Sequence, residues 1–378
     1  MTGVQTCALP ICSSWNLDAH WYGGGGVAYV HADQHFFGFH PVSGDLFVGN
    51  DGGFYKKSIA NGQWTDLSSG IKILQSYRLG VSNTDATMVV TGNQDNGTYR
   101  VKNGTWNSIF GGDGMECLVA HNNANVVFAE YYYGNMYKST DGGYNFFEAG
   151  PSAAGTGAWV TPYIMHPSNA NTMYAGFAKV FKSTNQGDTW TAVSGNLGGS
   201  TLKSLAISTS NPNYIYAATY TSIFKNTDGG AVITNWVNIT NGLPNLSITY
   251  IAVSDNDPLK IWVTLSGYEA GQKVYYSSNG GQSWTNYSNG LPNVPANCIV
   301  YQNNSARQLY VGTDIGVYRR DSTMNEWVPF STGLPNVIVN EMEIHYPSGK
   351  LRAATYGRGL WETYLHADEN TQPIAGFS

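Results

Sequence analysis

Acidic side chains and tyrosines recur at the predicted turns of this chain, in a combination that suits carbohydrate. Aromatic rings stack on the faces of sugars, and carboxylates bind hydroxyls or act on a glycosidic oxygen. For any one aspartate, the alternative is that Asp-Gly or Asn-Gly serves only the backbone of a tight turn. We predict a ligand-binding surface from the whole set, which is Asp51, Asp95, Asp113, Glu116, Asp314, Tyr131, Tyr132, Tyr133, Tyr268, Tyr356 and Arg358.

A second polar group lies in the segment 31–35, which reads His-Ala-Asp-Gln-His. Alternate residues of a strand share a face, so we expect His31, Asp33 and His35 on one face of an innermost strand. Two histidines and an aspartate could ligate a metal, face a substrate, or form a structural hydrogen-bond network. Three alternate residues on one strand diverge poorly for a tetrahedral metal shell. We therefore assign them to ligand binding and predict no metal site.

A recurring turn indicates the elements that position these residues. Its copies at 139–146, 183–190 and 277–284 run from Ser through Asp or Asn and Gly to a closing aromatic, and a broken copy starts at Asn226. The closing aromatics follow one another at steps of 40 to 48 residues, and they are Trp64, Trp106, Phe146, Trp190, Trp236, Trp284 and Trp327. Short strands repeated at a period in the forties are typical of propeller blades.

The turn itself has a structural explanation. An Asp or Asn side chain bonds backbone N–H groups two residues on, and Gly accepts a positive φ, so the pair fixes a hairpin. The following aromatic then packs against the neighbouring sheet. We therefore predict no chemistry for Asp141, Asn185, Asp228 and Asn279.

The fold class that follows is all-β, a β-propeller of four-stranded blades with strands A to D. Seven units between about residues 32 and 330 have all four strands, and 339–345, 350–355 and 360–365 read as strands A, B and C of another. A strand at Trp15 could complete that eighth blade and hide its edge. The alternative is that Trp15 belongs to an upstream blade.

Loops on one face of such a ring are the place for a site. The recurring turns are C–D connections, and they share a face with the A–B turns. The B–C turns and D–A loops share the opposite face, where rigid strands position them. The predicted acidic and tyrosine residues fall in these B–C and D–A segments.

Both ends of the sequence are excluded from the predicted propeller. Residues 1–12 look like a translated sequencing-library adapter, because a signal peptide would need a positive n-region and a longer apolar run. The propeller is predicted over 13–366. Residues 367–378 read as a linker and the start of a truncated PKD-like module, on the Pro-x-Ala-x-Phe pattern that begins at Pro373.

Composition excludes some classes of partner. The net charge is −6 with only 19 Lys plus Arg, so we predict no nucleic-acid partner. No run of eighteen apolar residues is present, so we predict no membrane insertion. Cys117 and Cys298 are too few and too far apart to indicate a disulfide or metal framework. We predict an extracellular protein without a cofactor; calcium and the oligomeric state stay open.

The recurring turns at 139–146, 183–190 and 277–284 resemble the Asp-box, or BNR repeat, of sortilin-like and family 74 xyloglucanase-like propellers. The resemblance extends over residues 15–365 and is strongest to secreted bacterial multidomain proteins with PKD modules. It is carried by the segments 31–35, 50–53, 94–97 and 357–361. It implies a propeller fold and an extracellular role.

For catalysis, the resemblance points to two aspartates. Family 74 enzymes invert configuration with an aspartate pair in Asp-x-Gly-Gly-like turns, and Asp51 and Asp314 lie in similar turns. An inverting pair places an acid and a base about 6.5–9.5 Å apart. In the family the two aspartates come from two facing propellers, whereas this sequence indicates one.

Two functions therefore remain open. The first is a secreted propeller that binds a glycan or a protein partner through its acidic, tyrosine-rich loop face. The alternative is an inverting glycoside hydrolase of the family 74 type. A sialidase is less favoured, because only Arg78 and Arg358 can reach the loop face where three arginines would be needed. A photosystem-assembly-like propeller is a third class that shares the repeat.

Overall fold

The computed structural model describes residues 16–366, and the chain forms two compact units that divide after Ile73. Between residues 16 and 366 the structure contains no α-helix, and its one helical turn is the 3-10 segment Tyr346–Ser348. No helix of this part is long and apolar enough to cross a membrane. The predicted adapter at 1–12 and the predicted PKD-like start at 367–378 lie outside the described residues.

The first unit contains one short parallel strand pair and one four-stranded antiparallel sheet. The pair is β1 (Ala19–His20) and β2 (Ala28–Tyr29), and the sheet is β3 (Gln34–Phe39), β4 (Leu46–Asn50), β5 (Gly53–Lys57) and β6 (Trp64–Asp66).

The second unit contains seven antiparallel sheets, which we name blades 1 to 7. In each blade the strands follow one another in space as they do in the sequence. Blades 1 to 3 are β7 (Ser76–Val81), β8 (Met88–Asn93), β9 (Gly97–Lys102) and β10 (Thr105–Phe110); β11 (Gly114–Val119), β12 (Val127–Tyr131), β13 (Asn135–Ser139) and β14 (Phe147–Glu148); and β15 (Tyr163–His166), β16 (Asn169–Gly176), β17 (Val180–Ser183) and β18 (Thr191–Ala192).

Blades 4 to 7 continue the pattern, and the last has three strands. They are β19 (Ser204–Ile207), β20 (Ile215–Ala218), β21 (Ile223–Asn226) and β22 (Val237–Asn238); β23 (Ile248–Val253), β24 (Ile261–Leu265), β25 (Val274–Ser277) and β26 (Thr285–Asn286); β27 (Ala296–Tyr301), β28 (Leu309–Thr313), β29 (Gly316–Arg320) and β30 (Val328–Pro329); and β31 (Ile338–His345), β32 (Lys350–Tyr356) and β33 (Gly359–Tyr364).

The second unit is a closed ring of seven blades around a central channel. Residues from all seven innermost strands, β7, β11, β15, β19, β23, β27 and β31, line this channel, whose volume is about 440 Å³. Innermost strands β31 and β7 lie side by side. The predicted propeller fold is therefore confirmed, and the first strand of each blade lines the channel.

The way the ring closes differs from the predicted eight-bladed ring. The seven predicted four-stranded sheets and the three-stranded sheet are all present, but the sheet of β3 to β6 belongs to the first unit. Blade 7 instead closes the ring against blade 1. The strand predicted at Trp15 lies outside the described residues. A repeat count cannot find this closure, because every unit carries the same local pattern and only long-range contacts select its neighbour.

Six of the seven blade interfaces are apolar. Buried clusters join each consecutive pair from blade 1 to blade 7, and side chains such as Phe128 and Phe181 fill the space between blades 2 and 3. Buried apolar area of this kind is the main stabilising contribution to a stacked repeat.

The seam between blades 7 and 1 is joined by hydrogen bonds and ion pairs. Backbone N–H groups on the free edge of β7 donate to side chains of β31: Leu79 N lies 2.7 Å from Glu341 Oε2, and Val81 N lies 2.8 Å from Glu343 Oε2. Asn340 Nδ2 donates in turn to the Ser76 carbonyl at 2.9 Å. Side chains thus satisfy backbone groups that a further strand would otherwise pair.

The recurring turn is held by side-chain hydrogen bonds, but the Asp141 carboxylate accepts from N–H groups three and four residues on, whereas the sequence predicted N–H groups two residues on. The Ser139 hydroxyl accepts from Gly143 N at 2.8 Å, and Asp141 Oδ1 accepts from Tyr144 N at 2.9 Å and Asn145 N at 3.0 Å. Hydrogen bonds from the side chain and the backbone N–H of Asn145, followed by the one from the Ser139 hydroxyl, lower the pKa of Asp141. The aspartate is therefore committed to the turn, as predicted.

The closing tryptophans tie each blade to the one before it. In four of the closing tryptophans the indole Nε1–H donates to a backbone carbonyl of the preceding blade, whereas the buried Nε1 of Trp64 has no partner among the described residues. The pairs are Trp190 with Ala149 at 2.8 Å, Trp236 with Val193 at 2.9 Å, Trp284 with Ile239 at 2.9 Å and Trp327 with Tyr287 at 2.6 Å.

We expect Ser183→Ala to lower the free energy of unfolding by about 1–2 kcal/mol. The Ser183 hydroxyl is buried, accepts from Gly187 N at 2.8 Å and donates to Asn185 Oδ1 at 2.9 Å. Urea denaturation followed by tryptophan fluorescence measures the change. The exposed Ser152→Ala is the control. Equal stability of the two variants would contradict a structural role for the turn.

Candidate functional site

The structure distributes the predicted site residues over both compact units. Asp51, His31, Asp33 and His35 lie in the first unit, and the other predicted residues lie in the second. Each group is therefore described separately. Because Asp51 and Asp314 lie in different units, their role as a catalytic pair stays a prediction.

In the first unit, two histidines and an aspartate meet at the β4–β5 turn. His35 Nε2 lies 2.5 Å from Asp51 Oδ1. The His31 ring packs so closely over Gly52 that any Cβ at that position would clash with it. A glycine is therefore required in this turn, and His31 lies against the residue that follows Asp51.

The predicted alternation of His31, Asp33 and His35 on one strand is wrong. Strand β3 begins only at Gln34, and Asp33 precedes it with a left-handed φ of +55°. The chain turns at Asp33, so its side chain does not continue the face of a strand. Among residues 16–366, no group of three His, Cys, Asp or Glu side chains has a metal-binding arrangement.

In the second unit, Asp314 bonds to a residue of strand β27, and Asp113 bonds to a neighbouring turn. Asn297 Nδ2 donates to Asp314 Oδ1 at 2.9 Å, in the β28–β29 connection. Asp113 Oδ1 accepts from Asp95 N at 2.7 Å, and Asp95 has a φ of +57°. Asp113 therefore stabilises the left-handed residue of the β8–β9 turn.

Tyr356 lies at the seam between blades 7 and 1. The Tyr356 hydroxyl donates to Gln94 Oε1, and the Tyr77 hydroxyl donates to the same oxygen at 2.6 Å. The centroids of the Tyr77 and Tyr356 rings lie 5.6 Å apart. Burial raises the pKa of Tyr77. Two further predicted residues are more isolated: Tyr268, in the β24–β25 connection of blade 5, is 67% exposed, and Arg358 Nη1 donates to its neighbour Gly357.

An aromatic cluster forms on the loop face of blades 2 and 3, and we call it the aromatic platform. It consists of Tyr131, Tyr132, Tyr133 and Trp159. The Tyr132 and Trp159 rings are nearly parallel, at 6° and 5.3 Å, while Tyr133 meets Trp159 edge-on at 5.2 Å. Trp159 is 37% exposed and Tyr133 is 43% exposed. Partly exposed, mutually packed rings are suited to stacking against a ligand.

The tyrosines of the platform are held in one arrangement. The Tyr131 hydroxyl donates to the Tyr132 hydroxyl at 2.8 Å, and this bond is the main cause that raises the pKa of Tyr131 to about 12. Tyr133 has a φ of +64°, which is rare for an aromatic residue and marks a locally strained turn.

A buried carboxylate positions the platform. Glu130 is fully buried, and its Oε1 accepts from Gly134 N at 2.8 Å and from Thr161 N at 3.0 Å. Its Oε2 accepts from Glu116 N at 3.1 Å. Glu130 thus connects the turn that carries the three tyrosines with the loop that carries Trp159. Burial raises its pKa to about 8, against the effect of these backbone hydrogen bonds.

Glu116 lies in the channel, on strand β11, where it pairs with an arginine. Arg78 Nε lies 3.2 Å from Glu116 Oε2 and 3.7 Å from Glu341 Oε1. The Tyr250 hydroxyl donates to Glu341 Oε1 at 2.9 Å. Burial and the negative charge of Glu341 raise the pKa of Glu116, while Arg78 opposes them. This network lines the channel on its loop-face side.

Several residues of this site were not predicted from the sequence. Trp159 could have been noticed as a tryptophan outside the regular series, next to a predicted A strand. Lys203, Tyr250 and Glu341 have no local signal, because each becomes a channel residue only when the ring closes.

The chain resembles solved propeller structures, although it matches no protein-family model and no curated protein. An ancestral GH74 enzyme superposes with a TM-score of 0.62 at 18% identity, over 79% of this chain and 45% of that one. The Niastella koreensis GH74 enzyme gives 0.54 at 18% identity, over 86% and 58%. YCF48 from Cyanidioschyzon merolae gives 0.56 at 12% identity, over 78% and 96%. All of these neighbours are β-propellers.

These similarities show the fold alone. The chain spans about half the length of the two GH74 chains.

Proposed function

We propose that this chain is an extracellular propeller that binds a polysaccharide on the loop face of its ring. The observation that carries the proposal is the aromatic platform, where the nearly parallel Tyr132 and Trp159 rings lie beside the exposed ring of Tyr133. Such rings offer apolar faces to the C–H faces of sugars. The recurring turns, which the sequence resemblance identifies as Asp-boxes, form the scaffold in this account.

The platform also has the rigidity that sugar binding favours. Glu130 fixes both segments that carry the rings, so little side-chain freedom remains to be lost on binding. Asp113 adds a carboxylate to the same face, close enough to Tyr131 to influence its pKa. The combination of fixed rings and a nearby acceptor supports a glycan ligand.

We expect Trp159→Ala to weaken glycan binding by at least about tenfold, because truncating an aromatic anchor typically costs more than 1.4 kcal/mol. Affinity electrophoresis in xyloglucan, mixed-linkage glucan and xylan measures the retardation of wild type and variant. The matched control is Trp106→Ala, another exposed tryptophan, which lies on the outer strand β10. Equal retardation of the Trp159→Ala variant and the wild type would contradict the proposal. Binding to a protein partner, without retardation in any of the three polysaccharides, would also contradict it.

The alternative is hydrolysis of the family 74 type. It is supported by the likeness of the Asp51 and Asp314 turns to the catalytic turns of that family and by the shared propeller fold. It requires release of reducing ends from a glucan, with a loss of about a hundredfold on Asp51→Ala or Asp314→Ala. Retained binding without release favours the binding proposal.

A further inference from the structure

The loop-face end of the channel contains a lysine whose ammonium group forms no ion pair or hydrogen bond with the part of the chain that the structure describes. Lys203 directly precedes β19 and lines the channel. Among residues 16–366, its Nζ has one recorded contact, with the ring of Tyr220 at 5.8 Å from the centroid. Tyr220 is 42% exposed. An ammonium group with three donors is thus held next to a second exposed aromatic ring.

The acidic groups around Lys203 already have other partners. Glu116 and Glu341 share Arg78, and Glu130 accepts from backbone N–H groups. Burial, followed by the positive charge of Arg78, lowers the pKa of Lys203 to about 8, while Glu116 and Glu130 oppose this effect. Lys203 therefore remains mostly charged at pH 7.

We propose that Lys203 binds the carboxylate of a uronic acid on the bound glycan. This inference rests on the proposed function and names the substrate class of the same face. A charged donor to a carboxylate gives a stronger hydrogen bond than a neutral pair, and the Tyr220 ring can stack on the same sugar.

The charge around the site favours sparse uronic acids over a dense polyanion. One ammonium group matches one carboxylate, whereas the chain as a whole has a net charge of −6. A polyanion would be repelled by this field. The ligand class that we propose is therefore a polysaccharide with a neutral backbone and isolated uronic acid units.

The test uses ligands that differ by one carboxylate. The pairs are xylotetraose with and without a single 4-O-methylglucuronosyl branch, and cellotetraose with and without one glucosyl unit oxidised to glucuronic acid. Isothermal titration calorimetry at pH 7 should show about tenfold tighter binding of the charged member in at least one pair.

Variants then assign this preference to the lysine. Lys203→Met should abolish the preference and leave the affinity for the neutral member within about twofold, while Lys203→Arg should retain most of it. Lys179→Met is the matched control, because Lys179 is an exposed lysine in the β16–β17 turn on the same face, and it should bind as wild type does.

The outcomes separate this inference from the proposed function. Equal binding of charged and neutral members overturns the role of Lys203 and leaves the glycan proposal intact. A preference that survives Lys203→Met also overturns it. Binding of neither pair, together with no retardation in the polysaccharide gels, overturns both. Lys203-dependent binding of a polyglutamate peptide without glycan binding would indicate an acidic peptide ligand instead.

Discussion

Glu341→Ala should lower the free energy of unfolding by about 3–5 kcal/mol, the range found when one partner of a buried charged network is removed. Glu341 is 3% exposed; its Oε2 accepts from Leu79 N at 2.7 Å, and its Oε1 accepts from the Tyr250 hydroxyl at 2.9 Å. The variant leaves a buried backbone N–H without an acceptor, and it removes one of the two carboxylates that pair with Arg78. Urea denaturation at pH 7 measures the change.

The matched control is Glu148→Ala, on the exposed strand β14, which should stay within about 0.5 kcal/mol of wild type. The comparison tests how the ring closes. The other six blade interfaces are apolar, whereas the seam between blades 7 and 1 depends on polar side chains. A loss below about 1 kcal/mol in Glu341→Ala would show that the seam is stabilised by other contacts.

Glu130→Ala should cost about 3 kcal/mol or more, because it removes from a fully buried position the acceptor of three backbone N–H groups, one of them buried and two partly buried. It should also release the turn of Tyr131 to Tyr133 from the loop of Trp159. Urea denaturation measures the first effect. Hydrogen exchange of amides 131–135 and 157–161 measures the second, with Glu148→Ala as the control.

The stability difference between wild type and Glu130→Ala should also depend on pH. Burial raises the pKa of Glu130 to about 8 in the folded state, above its usual value of 4.5. The unfolded chain therefore loses this proton first as the pH rises, so the contribution of Glu130 falls between pH 4.5 and pH 8. The advantage of wild type over the variant should be larger at pH 5 than at pH 8. A larger advantage at pH 8 would mean that the backbone hydrogen bonds lower this pKa instead.

The repeating part of the fold could be predicted because each turn is determined locally. Ser139, Asp141 and Gly143 make their hydrogen bonds within one hairpin, so their spacing alone is informative. The closing tryptophans follow the same period. The division after Ile73 has no such signal, because the sheet of β3 to β6 has the same pattern as the blades of the ring.

The site was harder to predict, for two physical reasons. The predicted strand face of His31 and Asp33 failed because Asp33 adopts a left-handed conformation, which a polar residue tolerates without a sequence mark. Lys203 and Glu341 both line the channel only after more than a hundred residues of intervening chain have closed the ring. Tyr131 and Tyr132 could be predicted because they lie together in one turn.

Hydrogen exchange on the wild-type chain, with and without xyloglucan, mixed-linkage glucan or xylan, tests the central claim most directly. Binding at the aromatic platform predicts slower exchange at amides 131–135 and 157–161 with at least one of these glycans, and unchanged exchange at the recurring turns 139–146 and 277–284. Protection confined to the recurring turns, or no protection with any of the three glycans, would contradict glycan binding on the loop face.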